Sequence, residues 1–292
     1  MFLIVHNPLS SNKKSKKTTL KYVKFFKKNN LSFKLRSTLK IKNLEVFLDK
    51  NPEITDILYL GGDGSINHLI NSVDITKISQ TIYLGKSGSG NDFLRSLKKY
   101  KKADITIGEA VTNIGSTKFI NGCGLGFDGL VCHYVNNDKK KGKLSYFLNV
   151  FRSIINYKPV EIELTVDGKI YNYKKVFVSA IQNGKYFGGG MKVTPNADPR
   201  DDEYIICIAH NLSKLLLQLV LVTIYPGWHR LLKRRVAFLK GKNIKITHPL
   251  ETYFQADGEV MGNINQVEIK VVQKREFIAF DKKDFKNRLA TK

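Results

Sequence analysis

The first hundred residues alternate between short apolar runs and helical patterns. Residues 2–6, 57–60 and 81–84 are apolar, which is typical of strands buried on both faces of a sheet. The second and third runs each end in a glycine-rich segment, and apolar residues at helical spacing follow. Two strand–turn–helix units in succession predict a doubly wound parallel sheet, which binds ligands beyond the carboxyl ends of its strands.

Strand patterns dominate from about residue 104. Residues 160–166 alternate strictly between apolar and polar, and Asp167-Gly168 after them predicts a hairpin turn. Further strands are predicted at 243–247, 253–256 and 266–272, and one helix at about 213–233. The sequence therefore predicts a second, β-rich domain, which we interpret as a β-sandwich. The predicted fold class is α/β plus β.

These patterns divide the chain into two domains. Residues 1–120 form the predicted nucleotide-binding α/β domain, and residues 121–275 form the β-rich domain. The charged tail 276–292 is expected to pack back on the first domain. A length of 292 residues fits two domains of ordinary size.

Composition indicates a globular protein of a reducing compartment. Hydrophobic residues make up 42% and charged residues 25% of the chain. The three cysteines form no CxxC pair, so a reduced cytoplasm is expected. The longest apolar stretch, 215–225, is shorter than the roughly 20 residues that a membrane-spanning helix needs.

The net charge of +24 suggests an anionic partner. Nucleic acid, lipid headgroups and polyphosphate nucleotides all fit, as does a solvated lysine-rich surface without a partner. No motif of a nucleic-acid-binding module accompanies the basic residues, so no specific nucleic acid is expected. A diffuse basic surface suits a membrane, where each Lys or Arg near anionic lipid contributes about 1 kcal/mol.

Two glycine-rich turns carry the first candidate chemistry. In Gly61-Gly62-Asp63-Gly64-Ser65 the glycines let backbone approach a phosphate, and Asp63 could hold Mg²⁺. In Gly88-Ser89-Gly90-Asn91-Asp92 the backbone offers N–H donors, and Asp92 could bind metal. Alone, the first could be an ordinary turn and the second a helix N-cap. Together, at consecutive strand ends, they predict a polyphosphate site.

Two acidic segments come later in the chain. Asp257-Gly258-Glu259 could be no more than a type I′ hairpin turn, or could supply a general base and a carboxylate that supports a metal. The segment 198–203 contains Asp198, Asp201, Asp202 and Glu203, which suit either a solvated loop or a divalent cation.

Five motifs in order resemble the diacylglycerol kinase catalytic-domain superfamily, which includes bacterial lipid kinases and sphingosine kinases. They are Asn7-Pro8-Leu9-Ser10, GGDGS (61–65), GSGND (88–92), YFGGGMKVTPNA (186–197) and ADGE (256–259). The resemblance implies a phosphofructokinase-like N-terminal domain that binds ATP and a C-terminal β-sandwich that holds a lipid. It implies transfer of the ATP γ-phosphoryl group to a lipid hydroxyl, with ATP and Mg²⁺ as cofactors.

The resemblance also assigns residues. Asp257 is the expected general base, and Glu259, Asp63 and Asp92 complete the catalytic set. A structural metal is expected at Asp201, with main-chain oxygens of Asp198 and Glu203. The nucleotide-binding residues are Asn7, Pro8, Ser10, Gly61, Gly62, Asp63, Gly64, Ser65, Asn67, Gly88, Ser89, Gly90 and Asn91.

Departures from the family pattern surround the nucleotide and the metal. Ser11, His68 and Lys86 replace a usual Gly, Glu and Pro, and Asp202 stands where bacterial relatives often have Gly. None of them removes a residue on which the chemistry depends.

The predicted helix near residue 220 adds a membrane hypothesis. Trp228 and the basic run Lys233-Arg234-Arg235 are expected to contact lipid, whereas most of the leucines could simply pack on the sandwich. The expected partners are a lipid substrate and an anionic membrane surface, and a homodimer stays open. The expected location is the cytoplasm, with peripheral association at the inner face of the cell membrane.

Two alternatives to a lipid kinase remain. An NAD kinase shares the GGDG turn and the two-domain plan. A non-catalytic basic protein that binds membrane or nucleic acid is supported by the charge alone.

Overall fold

A computed structural model describes residues 1–8, 15–87, 90–138 and 143–290. Contacts divide the chain into a first unit, residues 1–105 with 274–292, and a second unit, residues 106–273. The predicted boundaries were at 120/121 and 275/276. Residues 106–120 group with the second unit because hydrogen bonds tie them to it: the Thr106 amide donates to the Pro199 carbonyl, and the Asn183 side chain donates to the carbonyls of Thr106 and Ile120.

Helices and strands alternate in the first part of the chain and strands dominate the second. The elements up to the first boundary are β1 Phe2–His6, α1 Ser15–Lys28, β2 Phe33–Ser37, α2 Leu44–Asp49, β3 Asp56–Gly61, α3 Asp63–Ser72, β4 Thr81–Lys86 and α4 Asp92–Lys98. The remaining elements are β5 Lys102–Thr112, β6 Gly115–Phe119, β7 Gly122–Leu125, α5 Phe127–Asn137, α6 Lys143–Asn156, β8 Val160–Val166, β9 Lys169–Gln182, β10 Tyr204–His210, α7 Lys214–Ile224, a 3-10 helix Trp228–Leu231, β11 Val236–Gly241, β12 Ile244–Ala256, β13 Glu259–Ala279 and α8 Lys282–Ala290.

A parallel sheet forms the first unit, as the sequence predicts. The strand order is β4-β3-β1-β2, and all three pairings are parallel. The central strands are almost fully buried, which explains why they appear in the sequence as unbroken apolar runs. The carboxyl ends of β1, β3 and β4 therefore lie along one edge.

The C-terminal tail belongs to the core of the first unit. Ile278 and Ala279 at the end of β13 pair with β4 in parallel. Phe280 is buried in the same cluster as Phe2 and Phe26, and Phe285 packs against that cluster.

Antiparallel strands form the β-rich second unit. Strands β11, β10, β9, β7 and β12 follow one another, and β8 pairs with both β9 and β12. The predicted hairpin turn at Asp167-Gly168 is present, and a second one lies at Asp257-Gly258 between β12 and β13. All four residues have positive φ angles, from 47° to 90°, as a type I′ turn requires.

Two helices of the second unit were not predicted from the sequence. Helices α5 and α6 lie in a region that was interpreted as strands from residue 104 onward. The helix expected at about 213–233 is shorter, because α7 ends at Ile224 and Gly227, with a φ of 82°, precedes the separate 3-10 helix. In the described ranges, every helix is too short or too polar to cross a bilayer.

Candidate active site

Loops from three strand ends meet in the first unit. The Asn7 side chain, just after β1, donates a hydrogen bond to the Ser65 hydroxyl at 3.3 Å. The Ser87 amide, just after β4, donates to the Gly61 carbonyl at the end of β3, at 3.2 Å. The structure thus brings together the segments that carry three of the sequence motifs.

The Asp63 carboxylate joins the two glycine-rich turns. It lies in the first turn of α3 and accepts hydrogen bonds from the amides of Asp92, at 2.9 Å, and Phe93, at 3.1 Å. Its own amide donates to the Gly90 carbonyl at 3.3 Å. These bonds satisfy free N–H groups at the start of α4 and hold the two turns against each other.

Two glycines of these turns lie close to other residues. A Cβ atom on Gly61 would lie 2.3 Å from the Ser65 Cβ, and one on Gly90 would lie 3.1 Å from the Asp63 carboxylate. A close contact inside the first turn therefore accounts for Gly61, and a close contact between the two turns favours glycine at position 90, without appeal to a ligand. The same bare backbone is what a phosphate group needs to approach.

The remaining predicted nucleotide residues surround this junction. Gly62 and Asn91 are the N-cap residues of α3 and α4, Ser65 and Asn67 are buried, and Gly64 is exposed. Pro8 follows Asn7, and its carbonyl accepts a hydrogen bond from Ser15. Ser10, Gly88 and Ser89 lie outside the described residues.

Asp92 is a buried carboxylate in the first turn of α4. Its Oδ1 lies 3.4 Å from the guanidinium of Arg95, whose side chain is about half exposed. Asp63 and Asp92 both stand at helix N-termini, where the helix dipole favours negative charge. The first unit thus brings two carboxylates, two glycine-rich segments and two helix N-termini together in one set of loops.

The Asp257 carboxylate is anchored by backbone amides of the second unit. It accepts hydrogen bonds from the amides of Ile120 and Asn121, both at 2.9 Å, and from that of Gly122 at 3.0 Å. The Asp257 amide donates to the Gly122 carbonyl at 2.8 Å. These bonds fix the position of the carboxylate at the tip of the β12–β13 hairpin. Glu259, opposite Ala256 in that hairpin, is exposed.

Neighbouring side chains hold the same hairpin turn. The Asn136 amide of α5 donates to the Gly258 carbonyl at 3.0 Å, and the Gly258 amide donates to Gln255 at 2.9 Å. The Asn121 side chain donates to the Tyr186 carbonyl at 2.9 Å. This bond joins the 120–122 backbone, which holds Asp257, to the segment before Phe187.

An apolar cavity lies in the second unit beside these elements. Helices α5, α6 and α7, strands β9 and β10 and the segment 187–193 provide its walls. Its lining includes Phe127, Val131, Val150, Phe187, Met191 and Leu217. Helix α5, which lines the cavity, also bonds to the turn at Asp257 through Asn136. Asn121, whose amide binds the Asp257 carboxylate, bonds to Tyr186, the residue before Phe187 of the cavity lining. The same elements therefore position the carboxylate and form the cavity walls.

Asp128 is the one carboxylate among the described residues that line this cavity. Burial raises the pKa of its carboxyl to about 7, and the Gln255 side chain opposes that rise only in part. Its Oδ2 atom has no hydrogen-bond partner among the described residues. Sequence reasoning did not select Asp128, because a single Asp after a Gly-Phe pair has no distinctive spacing.

The acidic loop near residue 200 is neutralised by basic side chains. Asp198 binds Arg200 through both of its oxygens, at 2.8 and 2.6 Å. The Lys240 ammonium lies 3.1 Å from Asp201 and 2.6 Å from Glu203. In the described part of the chain, no group of three His, Cys, Asp or Glu side chains could hold a metal ion. A structural metal here stays a prediction, and Lys240 already supplies a cation to two of its three expected residues.

The residues expected to contact lipid are on the surface of the second unit. Trp228 lies in the 3-10 helix and is largely exposed, and Lys233, Arg234 and Arg235 follow it in exposed positions. The Arg235 guanidinium also bonds to the Asn211 carbonyl.

Comparison with protein families covers nearly the whole chain. Residues 1–120 match the diacylglycerol kinase catalytic domain, and residues 122–274 match the YegS C-terminal NAD kinase beta sandwich-like domain. The Bacillus subtilis protein named "Putative lipid kinase YtlR" is 26% identical over 237 residues, which cover 70% of this chain and 74% of that protein. A Staphylococcus aureus protein named "Putative lipid kinase SAR0780" is 27% identical over 218 residues, covering 70% and 71%. These matches support a kinase over the alternative of a non-catalytic basic protein.

Solved structures show the same fold. Two structures of a protein described as a "putative diacylglycerol kinase" from Bacillus anthracis superpose with TM-scores of 0.71 and 0.72 at 21% identity. Each superposition covers 96% of this chain, and it covers 95% of the first solved chain and 97% of the second. The chain belongs to the diacylglycerol kinase catalytic-domain family, with a YegS-type C-terminal domain.

Proposed function

We propose that this protein transfers the γ-phosphoryl group of ATP to the hydroxyl group of a lipid. One observation carries the choice of acceptor: the anchored Asp257 carboxylate and an apolar cavity share their supporting elements in the second unit. A lipid alcohol combines a reactive hydroxyl with an apolar chain, so it matches both features at once. Diacylglycerol is one member of that class.

The loops of the first unit suit the nucleotide. The glycine-rich backbone at Gly61–Ser65 and at Gly90–Asp92 lets a phosphate approach closely, and the dipole at the start of α3 favours an anion. Mg²⁺ bound with ATP needs one or two carboxylates besides the phosphates, and Asp63 and Asp92 fit that requirement. When bound there, the ion would neutralise phosphate charge during transfer.

Asp257 acts as the general base in this proposal. Its carboxylate accepts the proton of the lipid hydroxyl as that oxygen forms a bond to the γ-phosphorus and the bond to the β-phosphate oxygen breaks. ADP leaves, and the lipid carries the phosphoryl group. The three backbone amides that hold Asp257 restrict its position, which favours proton transfer in a fixed geometry. Glu259 is proposed to support the metal arrangement, as the family resemblance implies.

The finer fold and location are parts of the same proposal. The first domain is taken as phosphofructokinase-like and doubly wound, and the second as a β-sandwich. The enzyme is expected to work in the cytoplasm at the inner face of the cell membrane, where its acceptor resides.

An NAD kinase is the second candidate, because the C-terminal match is described as NAD kinase beta sandwich-like. NAD is a polar dinucleotide, and the lining of the cavity is almost entirely apolar. A polar acceptor would leave that cavity without a role in the reaction.

A phosphorylation assay with two acceptors tests the proposal. The full chain is incubated with γ-labelled ATP and Mg²⁺, with diacylglycerol in mixed micelles in one reaction and NAD in the other. We expect label in the lipid phase and none in NADP. Label in NADP without labelled lipid would contradict the proposal.

A further inference from the structure

Helices α6 and α7 cover one core of the second unit with their inner faces. Val150 and Ile154 of α6 and Leu217, Val220 and Ile224 of α7 are buried in the same hydrophobic cluster. The two helices contact each other, and the Lys214 ammonium at the start of α7 bonds to the Ile155 carbonyl near the end of α6. Because both pack on the same cluster, their outer faces lie on the same side of this unit.

The outer faces of these helices are apolar too. More than half of the surface of each of six large side chains is exposed: Phe147, Leu148, Ile155, Leu215, Leu219 and Val222. Trp228 and Leu231 of the 3-10 helix continue the exposed apolar surface beyond α7, with which that helix is in contact. Single exposed apolar residues are common on protein surfaces, but these residues cluster on one side of a helix pair. Such a cluster indicates that the surface contacts a partner.

The two sequence segments that form this surface carry only basic charges. The sequence contains no Asp or Glu from 139 to 160 or from 211 to 250, whereas both segments contain Lys and Arg. Arg230, Lys233 and Arg234 are exposed next to Trp228. An apolar face flanked by exposed basic side chains is complementary to an anionic bilayer, which offers acyl chains and negative headgroups together.

We propose that the outer faces of α6 and α7, with the segment 228–235, form one surface that docks on an anionic lipid bilayer. A second copy of the chain fits less well, since a two-fold interface would place the same basic residues against each other. This surface extends the expected contact at Trp228 to α6, which was not predicted as a helix. The docking proposal rests on the proposed function, because an enzyme that phosphorylates a lipid must reach its acceptor in the membrane.

The inner and outer faces of the two helices link the bilayer to the cavity. Tyr146 and Val150 of α6 and Leu217 and Val220 of α7 line the cavity, whereas the exposed residues named above face outward. An acyl chain in the cavity would therefore be one helix layer away from the bilayer. Docking thereby shortens the path of the acceptor from membrane to site.

Fluorescence of Trp228 tests docking directly, because it is the sole tryptophan of the chain. Vesicles of phosphatidylcholine with phosphatidylglycerol, and vesicles of phosphatidylcholine alone, are added to the full chain without ATP. We expect a blue shift and quenching by brominated acyl chains with the anionic vesicles, both weakened by high salt. An unchanged spectrum with anionic vesicles would overturn the proposal.

Matched variants test the part played by the helices. Ile155→Ser with Leu219→Ser removes two outward residues, and Ile170→Ser with Leu250→Ser removes two similarly exposed residues outside this surface. We expect the first pair to weaken vesicle binding about tenfold, as the loss of buried apolar area implies, and the second less than about twofold. Equal effects of the two pairs would contradict the docking surface.

Charge reversal and oligomeric state complete the test. Lys233→Glu with Arg234→Glu is expected to weaken binding to anionic vesicles roughly tenfold or more, compared with Lys169→Glu and Lys174→Glu on another exposed segment. If the helix variants convert a dimer to a monomer and leave vesicle binding unchanged, the surface is a self-association interface and the proposal fails. Normal vesicle binding without lipid phosphorylation would leave docking intact and refute the proposed function instead.

Discussion

Two Asp-Gly hairpin turns of the second unit are almost the same in local structure. Asp167 and Asp257 have φ angles of 47° and 50°, and the following glycines have 83° and 90°. Both carboxylates accept backbone hydrogen bonds from a distant segment, Asp167 from Lys242 and Asn243 at 2.8–3.2 Å. Both Asp amides donate to a carbonyl of that segment, at 2.9 and 2.8 Å.

The surroundings of the two turns differ. Asp167 is exposed at the end of the β8–β9 hairpin. The turn at Asp257 is bonded by Asn136 of α5, and Gln255 at its base also contacts the buried Asp128. An Asp-Gly pair therefore specifies a turn, whereas a chemical role depends on neighbours that come from far along the chain. The Asp167 turn can therefore serve as the control in experiments that test a chemical role of the Asp257 turn.

A large loss of activity is expected when the nucleotide half of the proposed reaction is altered. Asp63→Asn should lower kcat/KM for ATP at least roughly hundredfold, because it removes a carboxylate from the phosphate loops and weakens the bonds to Asp92 and Phe93. Asp74→Asn is the control, since Asp74 also accepts a backbone hydrogen bond, from Thr76. Similar kinetics of the two variants would show that Asp63 is only a structural residue.

The buried carboxyl beneath the Asp257 turn should make stability depend on pH. The pKa of Asp128 rises from an ordinary value of 3.8 to about 7 in the fold, so the unfolded chain loses this proton at lower pH than the folded one. The free energy of unfolding should therefore fall as the pH rises from about 4 to about 7, by about 1.4 kcal/mol for each pH unit in that interval.

Asp128→Asn should remove that penalty. We expect the variant to gain stability relative to the parent at pH 8 by a few kcal/mol, and much less at pH 5. Urea unfolding followed by circular dichroism at both pH values measures the difference. Asp167→Asn, at an exposed turn, should show no such change with pH, and a pH-independent effect of Asp128→Asn would contradict the burial argument.

Filling the cavity should affect only acceptors with long chains. Leu217→Trp places a larger side chain in the lining and should raise KM for a long-chain acceptor about tenfold, as overpacking of an apolar site implies. A short-chain acceptor in the same assay serves as the control. An equal rise for both acceptors would indicate general damage rather than loss of a chain-binding site.

The smallest effects are expected at the glycines of the two turns. A Cβ atom on Gly168 or Gly258 would contact nothing within 4 Å, so Gly→Ala is opposed only by the positive φ angle. Each variant should lose about 1 kcal/mol of stability. Only Gly258→Ala should also lower kcat, because it disturbs the residue next to the proposed base. A loss of kcat in both variants, or in neither, would remove the functional distinction between the turns.

Local patterns were sufficient to predict the apolar strands β1, β3 and β4 of the first unit and the helices after β3 and β4, but not helix α2. Strand β1 was predicted at its observed bounds, and β3, β4 and the helices after them lie where the apolar runs and glycines place them. Each of these strand–turn–helix signals is contained in about ten neighbouring residues, so it can be recognised without knowledge of distant contacts. A succession of such signals then predicts the parallel sheet. The contacts of Asn7 with Ser65 and of Asp63 with Asp92 then result from the convergence of strand ends at one edge.

The second unit could be predicted only in part, for two physical reasons. Its hairpins have local signals, but Asp257 is held by amides of residues 120–122, and no spacing in the sequence indicates that pairing. Helix α6 does have inward residues at helical spacing, but it stands among segments with strand patterns, and the interpretation of the whole region as strands overlooked that signal. The cavity was not predicted either, because its walls include α5 and α6, the two helices that were not predicted.

The most direct test compares kcat of Asp257→Asn and Asp167→Asn with the lipid acceptor. Both substitutions keep the side-chain size and alter the same kind of backbone-bonded carboxylate, so their effects on the melting temperature should be similar. We predict that Asp257→Asn lowers kcat by about 10²–10⁴-fold, as loss of a general base implies, while Asp167→Asn stays within about twofold of the parent. Equal activity of the two variants would contradict the assignment of Asp257 as the base.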